Sequence, residues 1–214
     1  LNLDRRRKSS PMPALSAVVG KPGYARLEAD ISDRSLMRAF FREFKPEAVI
    51  HLASAGDEPD ESRLFDSEVA GAFSVLEASR AHFKSLEGDA RQRFRIVHPQ
   101  RADTDSDIAP TPVEAARAAA AALFENWSQA HDLPLVTCIA GDVFGPWQSD
   151  TGLFSSMIAS LLRGRPFQLD MGGETVRDWL PVNDFATGLI RAAEIATPLS
   201  RFDFSAGAER RAER

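Results

Sequence analysis

Short apolar runs alternate along this chain with longer segments whose apolar residues recur three and four positions apart. The short runs near residues 50, 96 and 136 are continuously apolar, which is typical of parallel strands covered by helices on both faces. The strand candidates are residues 1–3, 25–29, 48–53, 94–98, 133–140 and 202–205. The helical candidates are residues 33–44, 64–84, 112–131 and 183–196. This β-α order predicts an α/β fold with a doubly wound, Rossmann-like parallel sheet.

Polar residues and prolines mark where the predicted helices begin. Ser32 or Asp33 is suited to cap the first helix, and Pro112 after Thr111 fits a first-turn position. The last helix is expected to open at Asn183 or Asp184.

The sequence changes in character after residue 140, where "GDVFGPWQSDTG" forms a long Gly/Pro/Asp-rich stretch. We therefore assign residues 1–145 to a partial Rossmann-like domain. Residues 146–214 are assigned to a small irregular lobe, interleaved with the last strands of the sheet. Open α/β sheets bind ligands at the carboxyl edge, which such a lobe would cover.

Composition restricts the function classes. The 214 residues suffice for one domain plus a fragment, and a formal net charge of -5 disfavours nucleic acid as a partner. The single Cys138 stands in an apolar run, which predicts a buried, inert thiol and a reducing, cytoplasmic setting. No stretch is apolar enough to span a membrane. Because Leu1 already reads as strand, further sequence is expected upstream.

Four stretches carry a family resemblance: "LEADISDRSLMRAFFREFKPEAVIHLAS", "GAFSVLEASR", "GDVFGPWQ" and "GRPFQLDMGGETVRDWLPVNDFATGLIRAAE". In this order and at this spacing they resemble the extended short-chain dehydrogenase/reductases that modify nucleotide sugars, most closely the dTDP-glucose 4,6-dehydratases. The resemblance runs from Leu1 to about Gly207. It implies the family domain without its first strand and Gly-rich turn and without its carboxyl-terminal end.

The resemblance implies an NAD site. Asp4 stands at the position that binds the adenine ribose, although an Asp at a strand end is also often a turn former or helix cap. Asp30 and Ile31 match the pair that brackets the adenine, while Ile31 is equally suited to core packing. Leu52 and Ala53, in "HLAS", match the small-residue loop that lets the cofactor approach the backbone. Upstream Gly-rich sequence would complete the pyrophosphate site.

Three cations after Asp4 bear on the choice of dinucleotide. Arg5, Arg6 and Arg7 could favour the 2′-phosphate of NADP, but Asp4 would repel that phosphate. NAD is therefore the expected cofactor, with binding weakened or lost.

The catalytic positions depart from the family. Its catalytic Tyr, whose phenolate removes a proton from the sugar hydroxyl, is replaced by Val113, and the Lys four residues on by Arg117. Valine has no proton to exchange, and arginine is effectively always protonated, so Arg117 is expected at most to contact the ribose. The Thr-Asp-Glu run that adds and removes water reads Pro99, Gln100 and Arg101.

The sugar-binding positions also depart. Glu68 stands where the family has Asn, Asp142 and Val143 stand where it has an Asn pair, and its Lys beyond that loop is replaced near Gly152. Arg177 matches the arginine that reaches the substrate diphosphate. A structural ion pair at Arg177 and Asp178, with Trp179 as an aromatic plug, is at least as good an explanation.

Two histidines are the remaining candidates for acid/base work. His98 ends the fourth predicted strand and His51 the third, and a histidine has a suitable pKa for proton transfer near neutrality. His51, however, matches a family packing residue, and no neighbour in sequence positions His98. Tyr24, the only tyrosine, lies on a connection.

Three functional hypotheses follow. The first is a catalytically degenerate member of the nucleotide-sugar epimerase/dehydratase family that still binds a nucleotide or nucleotide sugar. The second is a structural or partner-binding subunit; the resemblance implies a homodimer through helices 64–84 and 112–131, where alanines permit close packing. The third is an active oxidoreductase that uses non-standard residues such as His98.

Overall fold

The computed structural model describes residues 2–4, 15–54, 60–102, 111–148, 152–167, 176–204 and 210–211. The strands are β1 (Asn2–Asp4), β2 (Arg26–Glu28), β3 (Ala48–Ile50), β4 (Arg95–Arg101), β5 (Leu135–Ala140), β6 (Asp142–Phe144), β7 (Val176–Arg177), β8 (Trp179–Pro181), β9 (Ser200–Asp203) and β10 (Arg210–Arg211). The helices are α1 (Arg34–Phe44), α2 (Glu61–Phe65), α3 (Gly71–Ser85), α4 (Gly88–Arg93), α5 (Pro112–Ala130), α6 (Leu153–Leu162) and α7 (Val182–Ile195).

Parallel pairing organises the main sheet, whose strand order is β3-β4-β5-β9. Ile96 on β4 lies opposite Leu135 on β5, and Val136 on β5 lies opposite Ser200 on β9. The predicted parallel α/β class is confirmed. The last strand, β9, comes from the region after residue 146, so that region contributes to the sheet, whereas the domain boundary itself remains a prediction.

The first two strands form a separate parallel pair, β1-β2, rather than joining the main sheet. The sequence predicted one sheet containing all of these strands. In a doubly wound fold the family's first strand lies between its second and fourth, which correspond here to β1 and β3. No strand among the described residues occupies that place, so β1 and β3 have no partner through which to join.

Side chains from the central strands alternate between two cores. Ile96 packs in one cluster with residues of α1, α3 and α5, including Met37, Leu76 and Phe124. Its neighbour Val97 packs on the other face, with Leu189 of α7. Because successive side chains of a strand point to opposite faces, helices on both sides of β4 bury the whole strand.

Two helix starts follow the predicted capping. Asp33 accepts hydrogen bonds from the backbone N–H groups of Ser35 and Leu36, both at 3.0 Å. Thr111 caps α5 in a reciprocal arrangement with Glu114, and Pro112 occupies the first turn. Each such cap satisfies backbone donors that would otherwise have no partner. The last helix differs from the prediction, because it starts from Pro181 with no side-chain cap.

The long second helix begins earlier than predicted. It starts at Glu61, capped by Asp60, and passes through a π-helical turn, Asp66–Ala70, before α3. A π turn inserts one extra residue and turns the side chains around it relative to a regular helix. Here the turn contains Glu68, which is buried.

Gly141 permits a close backbone approach next to the candidate site. A Cβ atom at this position would overlap the carbonyl oxygen of Asp178. The adjacent backbone N–H of Asp142 donates to the same oxygen at 2.7 Å, which ties β6 to β8.

We expect Gly141→Ala to lower the free energy of unfolding by about 1–3 kcal/mol, because the added methyl group must displace backbone. The matched control is Gly152→Ala, whose methyl group would meet side chains alone, the end of the flexible Gln148 and the Ser155 hydroxyl, and no backbone. Urea denaturation of both variants measures the difference. Equal destabilisation by the two substitutions would contradict the proposed role of Gly141.

Candidate functional site

The carboxyl ends of β3, β4 and β5 lie side by side and bring the predicted site residues together. Arg101 at the end of β4 pairs with Ala140 at the end of β5. The segment after β3 reaches Ser54, which contacts Arg117 of α5. Polar groups from four chain segments thus meet at one edge of the sheet, the place where open α/β folds bind ligands.

Arg117 contacts two groups although its side chain remains 42% exposed. Its Nη2 and Nε donate to Ser54 Oγ at 3.0 and 3.3 Å. Ser54 Oγ in turn donates to Glu68 Oε1 at 2.6 Å, and Arg117 Nε lies 3.8 Å from the same oxygen. Glu68 is only 4% exposed, so its carboxylate depends on these partners. We call these three residues the Glu68 cluster.

A second ionic cluster joins three replaced or conserved family positions. Asp142 accepts from Arg101 Nη2 at 2.7 Å through one carboxylate oxygen and from Arg177 Nη1 at 2.8 Å through the other. Both arginine side chains remain partly exposed, at 48% and 34%. We call this group the Asp142 cluster; it holds two cations on one anion. Arg177 thus forms an ion pair with Asp142, whereas the alternative explanation had grouped it with Asp178.

Three other residues, at positions that the resemblance assigns to catalysis, have no acid/base group. Pro99 lies within β4, and Gln100 Nε2 donates to Glu125 Oε1 of α5 at 3.3 Å. Val113 is half-buried in the first turn of α5. A hydrocarbon, an imino-acid ring and an amide cannot exchange a proton with a substrate at neutral pH.

The residues predicted to hold the adenine half lie at the ends of β1, β2 and β3. Asp4 ends β1, and only its backbone is described. Asp30 accepts from the backbone N–H and hydroxyl of Ser32 at 2.9 and 2.7 Å, and Ile31 packs closely against Gly71 and the main core. Ile31 therefore contributes to core packing. Leu52 is 61% exposed and Ala53 is exposed as well, which leaves the backbone after β3 accessible.

Three aromatic side chains pack together on elements that adjoin the Asp142 cluster in sequence. The Trp179 ring lies 4.5 Å from that of Phe154 and 6.4 Å from that of Phe144. These contacts connect β6, α6 and β8, as the alternative explanation of Trp179 as an aromatic plug predicted.

His98 and His51 form a buried pair beside Phe124. The His98 ring stacks on Phe124 at 4.1 Å between centroids and lies 5.6 Å from the His51 ring. Burial, reinforced by His51, lowers the pKa of His98 to about 3, and burial lowers the pKa of His51 to about 4. His98 is therefore neutral and weakly basic at pH 7, which argues against it as a replacement acid/base group.

The structure also shows the surroundings of the single cysteine and bears on metal sites and membrane spans. Cys138 is fully buried, and burial raises the pKa of its thiol to about 11, so the predicted inert thiol is confirmed. Across the described part of the chain, no three His, Cys, Asp or Glu side chains are grouped so as to hold a metal. In the same residues, no helix is both long and apolar enough to cross a bilayer.

Sequence reasoning named the replaced positions without finding how they pair. Glu68 and Arg117 are separated by 49 positions, and Arg101 and Asp142 by 41, so spacing gives no sign of either contact. A signal was nevertheless present. Each cluster contains a carboxylate at a position where the resemblance implies Asn, and such a carboxylate is a candidate partner for an arginine at the same site.

Comparison with known proteins identifies the family. The sequence model of the NAD dependent epimerase/dehydratase family matches residues 1–201. The chain belongs to this family. The predicted resemblance is thereby confirmed.

Curated relatives include several dTDP-glucose 4,6-dehydratases. That of Neisseria gonorrhoeae is 28% identical over 207 residues, covering 88% of this chain and 60% of its own length. One from Escherichia coli K12 is 26% identical over 216 residues, with the same coverage of 88% and 60%. The chain thus spans about three fifths of the length of these relatives.

Solved structures share the fold. A dTDP-glucose 4,6-dehydratase from Bacillus anthracis in complex with NAD gives a TM-score of 0.81 at 18% identity, covering 99% of this chain and 68% of that one. The UDP-glucose 4-epimerase of Thermotoga maritima with UDP-glucose gives 0.74 at 19% identity, covering 90% and 66%.

The buried histidine pair predicts a stability loss in acid. The unfolded chain protonates its histidines near pH 6.5, whereas the folded protein resists protonation down to about pH 4 for His51 and about pH 3 for His98. Their contribution is therefore complete above pH 6.5 and is lost as the pH falls below it. At pH 5 each histidine should cost about 2 kcal/mol relative to pH 7.

The variant His98→Leu tests whether the buried histidines cause this loss of stability in acid. We expect denaturant titrations of His98→Leu to show about half the wild-type decrease in unfolding free energy between pH 7 and pH 5. The comparison uses the pH dependence of each protein, so a change in baseline stability does not affect it. An unchanged pH dependence would show that other groups cause the acid sensitivity.

Proposed function

We propose that this protein is a catalytically inactive member of its family that binds a nucleotide or nucleotide sugar without converting it. The proposal rests on one observation: Arg101 and Arg117, at positions that the resemblance assigns to catalysis, pair with carboxylates at positions that it assigns to sugar binding. The Glu68 cluster engages Arg117, and the Asp142 cluster engages Arg101 and Arg177. Groups that are committed to internal ion pairs cannot exchange protons with a substrate without breaking those pairs.

The two ends of an NAD molecule would meet different conditions. At the nicotinamide end, the position that the resemblance assigns to a ribose-binding Lys is Arg117, which is tied to Ser54 and Glu68. The residues present there do not fit the cofactor well. At the adenine end, the Asp30 carboxylate lies directly after β2 and accepts from Ser32, and the backbone after β3 is exposed. We therefore propose weakened NAD binding, through Asp4, Asp30, Leu52 and Ala53.

A nucleotide diphosphate would meet the Asp142 cluster. Arg177 is half-buried and directs one guanidinium nitrogen to Asp142, while Arg101 approaches the other carboxylate oxygen. An incoming diphosphate would have to compete with Asp142 for these two cations. Weak binding of nucleotide sugars follows, because part of the interaction energy replaces an existing ion pair.

A structural or partner-binding role remains the second candidate. Along α5, the alanines at 115, 118, 119 and 122 are exposed, so a small-residue face is available for a second helix. That face supports the homodimer predicted from the resemblance through helices 64–84 and 112–131. The cytoplasmic location also remains a prediction, as does the hypothesis of an active oxidoreductase using other residues.

The intact protein is expected to show no detectable 4,6-dehydratase turnover with dTDP-glucose and NAD. General acid/base groups contribute about 10²- to 10⁴-fold each, and losses of several are not additive. The Neisseria gonorrhoeae dehydratase is the positive control. The double variant Val113→Tyr/Arg117→Lys should also fail to dehydrate the substrate, because Pro99, Gln100 and Arg101 still cannot eliminate water.

Measured dehydratase turnover would overturn the proposal, and the variant that shows or loses it would indicate which residues carry the reaction. Activity of the unmodified protein that is abolished by His98→Ala would assign the chemistry to that histidine. Activity of the double variant would show that the water-handling positions are dispensable.

The Asp142 cluster makes a separate binding prediction. We expect Asp142→Asn to strengthen dTDP binding by about tenfold in calorimetry, equivalent to about 1.4 kcal/mol, because both arginines lose their internal anion. The substituted amide keeps the size of the side chain, and the backbone contact to Asp178 is unaffected.

Arg177→Met in both backgrounds is the matched control for that measurement. It should remove most dTDP binding, with or without Asp142→Asn. Unchanged affinity in Asp142→Asn would show that Asp142 does not compete with the ligand. Absence of binding to every variant would leave the structural-subunit hypothesis as the better one.

A further inference from the structure

A groove separate from the sheet edge lies between α1 and α3, with a volume of about 910 Å³. Its floor is apolar and includes Phe41 and Ala78, which are buried. Its lining runs along α1 from Ser35 to Lys45, a rise of about 15 Å at 1.5 Å per residue. Neither ionic cluster described above contributes to it.

Three cations line one side of this groove. Arg38, Arg42 and Lys45 are all exposed and follow one another along the same face of α1 and its cap. Among the residues that the structure describes, none of the three takes part in an ion pair, and no carboxylate lines the groove. The groove therefore combines positive charge with an apolar floor on a chain whose formal net charge is -5.

Glu43 follows Arg42 on α1 but does not line the groove, and two other carboxylates near it in sequence already have partners. Glu47 pairs with Arg93 at 3.8 Å, and Glu77 of α3 accepts from Arg80 at 3.1 Å. Arg38 and Arg42 stand four residues apart, a spacing at which like charges destabilise a helix. The helix dipole favours cations near the carboxyl end of α1, which accounts for Arg42 and Lys45 but not for Arg38.

The spacing of the cations indicates the shape of a ligand. Four residues of helix rise about 6 Å, so Arg38, Arg42 and Lys45 distribute their charges over about 10 Å. A single phosphate or carboxylate head could contact only part of this row. An extended peptide places alternate side chains about 6.6–6.8 Å apart, which matches the arginine spacing. We propose that the groove binds a short acidic peptide segment of a partner protein, with apolar side chains on Phe41 and Ala78.

Fluorescence anisotropy with a labelled peptide of alternating Glu and Leu tests the proposal. Binding by the intact protein should weaken at least about tenfold in Arg38→Glu/Arg42→Glu, because reversal replaces two attractions by repulsions. The same peptide with Gln in place of Glu should bind at least about tenfold more weakly than the Glu peptide. Failure of either difference would overturn the proposal.

The matched control is Arg163→Glu/Arg165→Glu, which makes the same change in net charge at exposed residues outside the groove. It should retain peptide binding; an equal loss would reveal only non-specific attraction and would overturn the proposal. Ala81→Trp, at an exposed groove residue, should block the groove and weaken binding, with its thermal unfolding checked.

Binding of dodecanoate tests whether the groove takes a fatty-acid-like amphiphile instead of a peptide. Dodecanoate binding that is tighter than peptide binding and is lost in Arg38→Glu/Arg42→Glu would assign the groove to an amphiphile and overturn the peptide proposal. These measurements do not involve nucleotide or sugar, so their outcome is independent of the proposed function.

Discussion

Burial of β4 and β5 on both faces is the constraint on which the rest of this structure depends. Ile96 faces the helices α1, α3 and α5, while its neighbour Val97 faces α7. A strand whose side chains are apolar on both sides is stable only when two layers cover it. That requirement fixes the helices in place, and the aligned strand ends then bring Arg101 and the segment after β3 to one edge.

Two ion-pair clusters stabilise that edge of the sheet. A buried carboxylate such as Glu68 would be costly without compensation. Ser54 and Arg117 supply a hydrogen bond and an opposite charge, so the replaced positions stabilise each other. Asp142 similarly holds Arg101 and Arg177. At this edge of the sheet, the carboxylates and guanidinium groups of the two clusters therefore contact each other.

The two proposed binding regions differ in whether their cations already have carboxylate partners. At the sheet edge, each arginine of the two clusters already has a carboxylate partner, so a ligand must compete for it. Beside α1, the cations of the groove are exposed and have no such partner among the described residues. An anion therefore meets less competition at the α1-α3 groove than at the site inherited from the family.

The sequence by itself determined the class of fold and the family, and it predicted that the catalytic residue types are replaced. These depend on local periodicity and on residue identity, as in the apolar runs around Val97 and Val136 and in Val113 at the tyrosine position. The four predicted helices agree with the structure to within three residues at each end, but the π turn within the second of them and the short helix α4 were not predicted. Only the tertiary structure decided that Glu68 meets Arg117, that His98 stacks on Phe124 and that Asp142 links two arginines. Such contacts join residues distant in sequence, and their geometry is set by how helices and strands pack rather than by any local pattern.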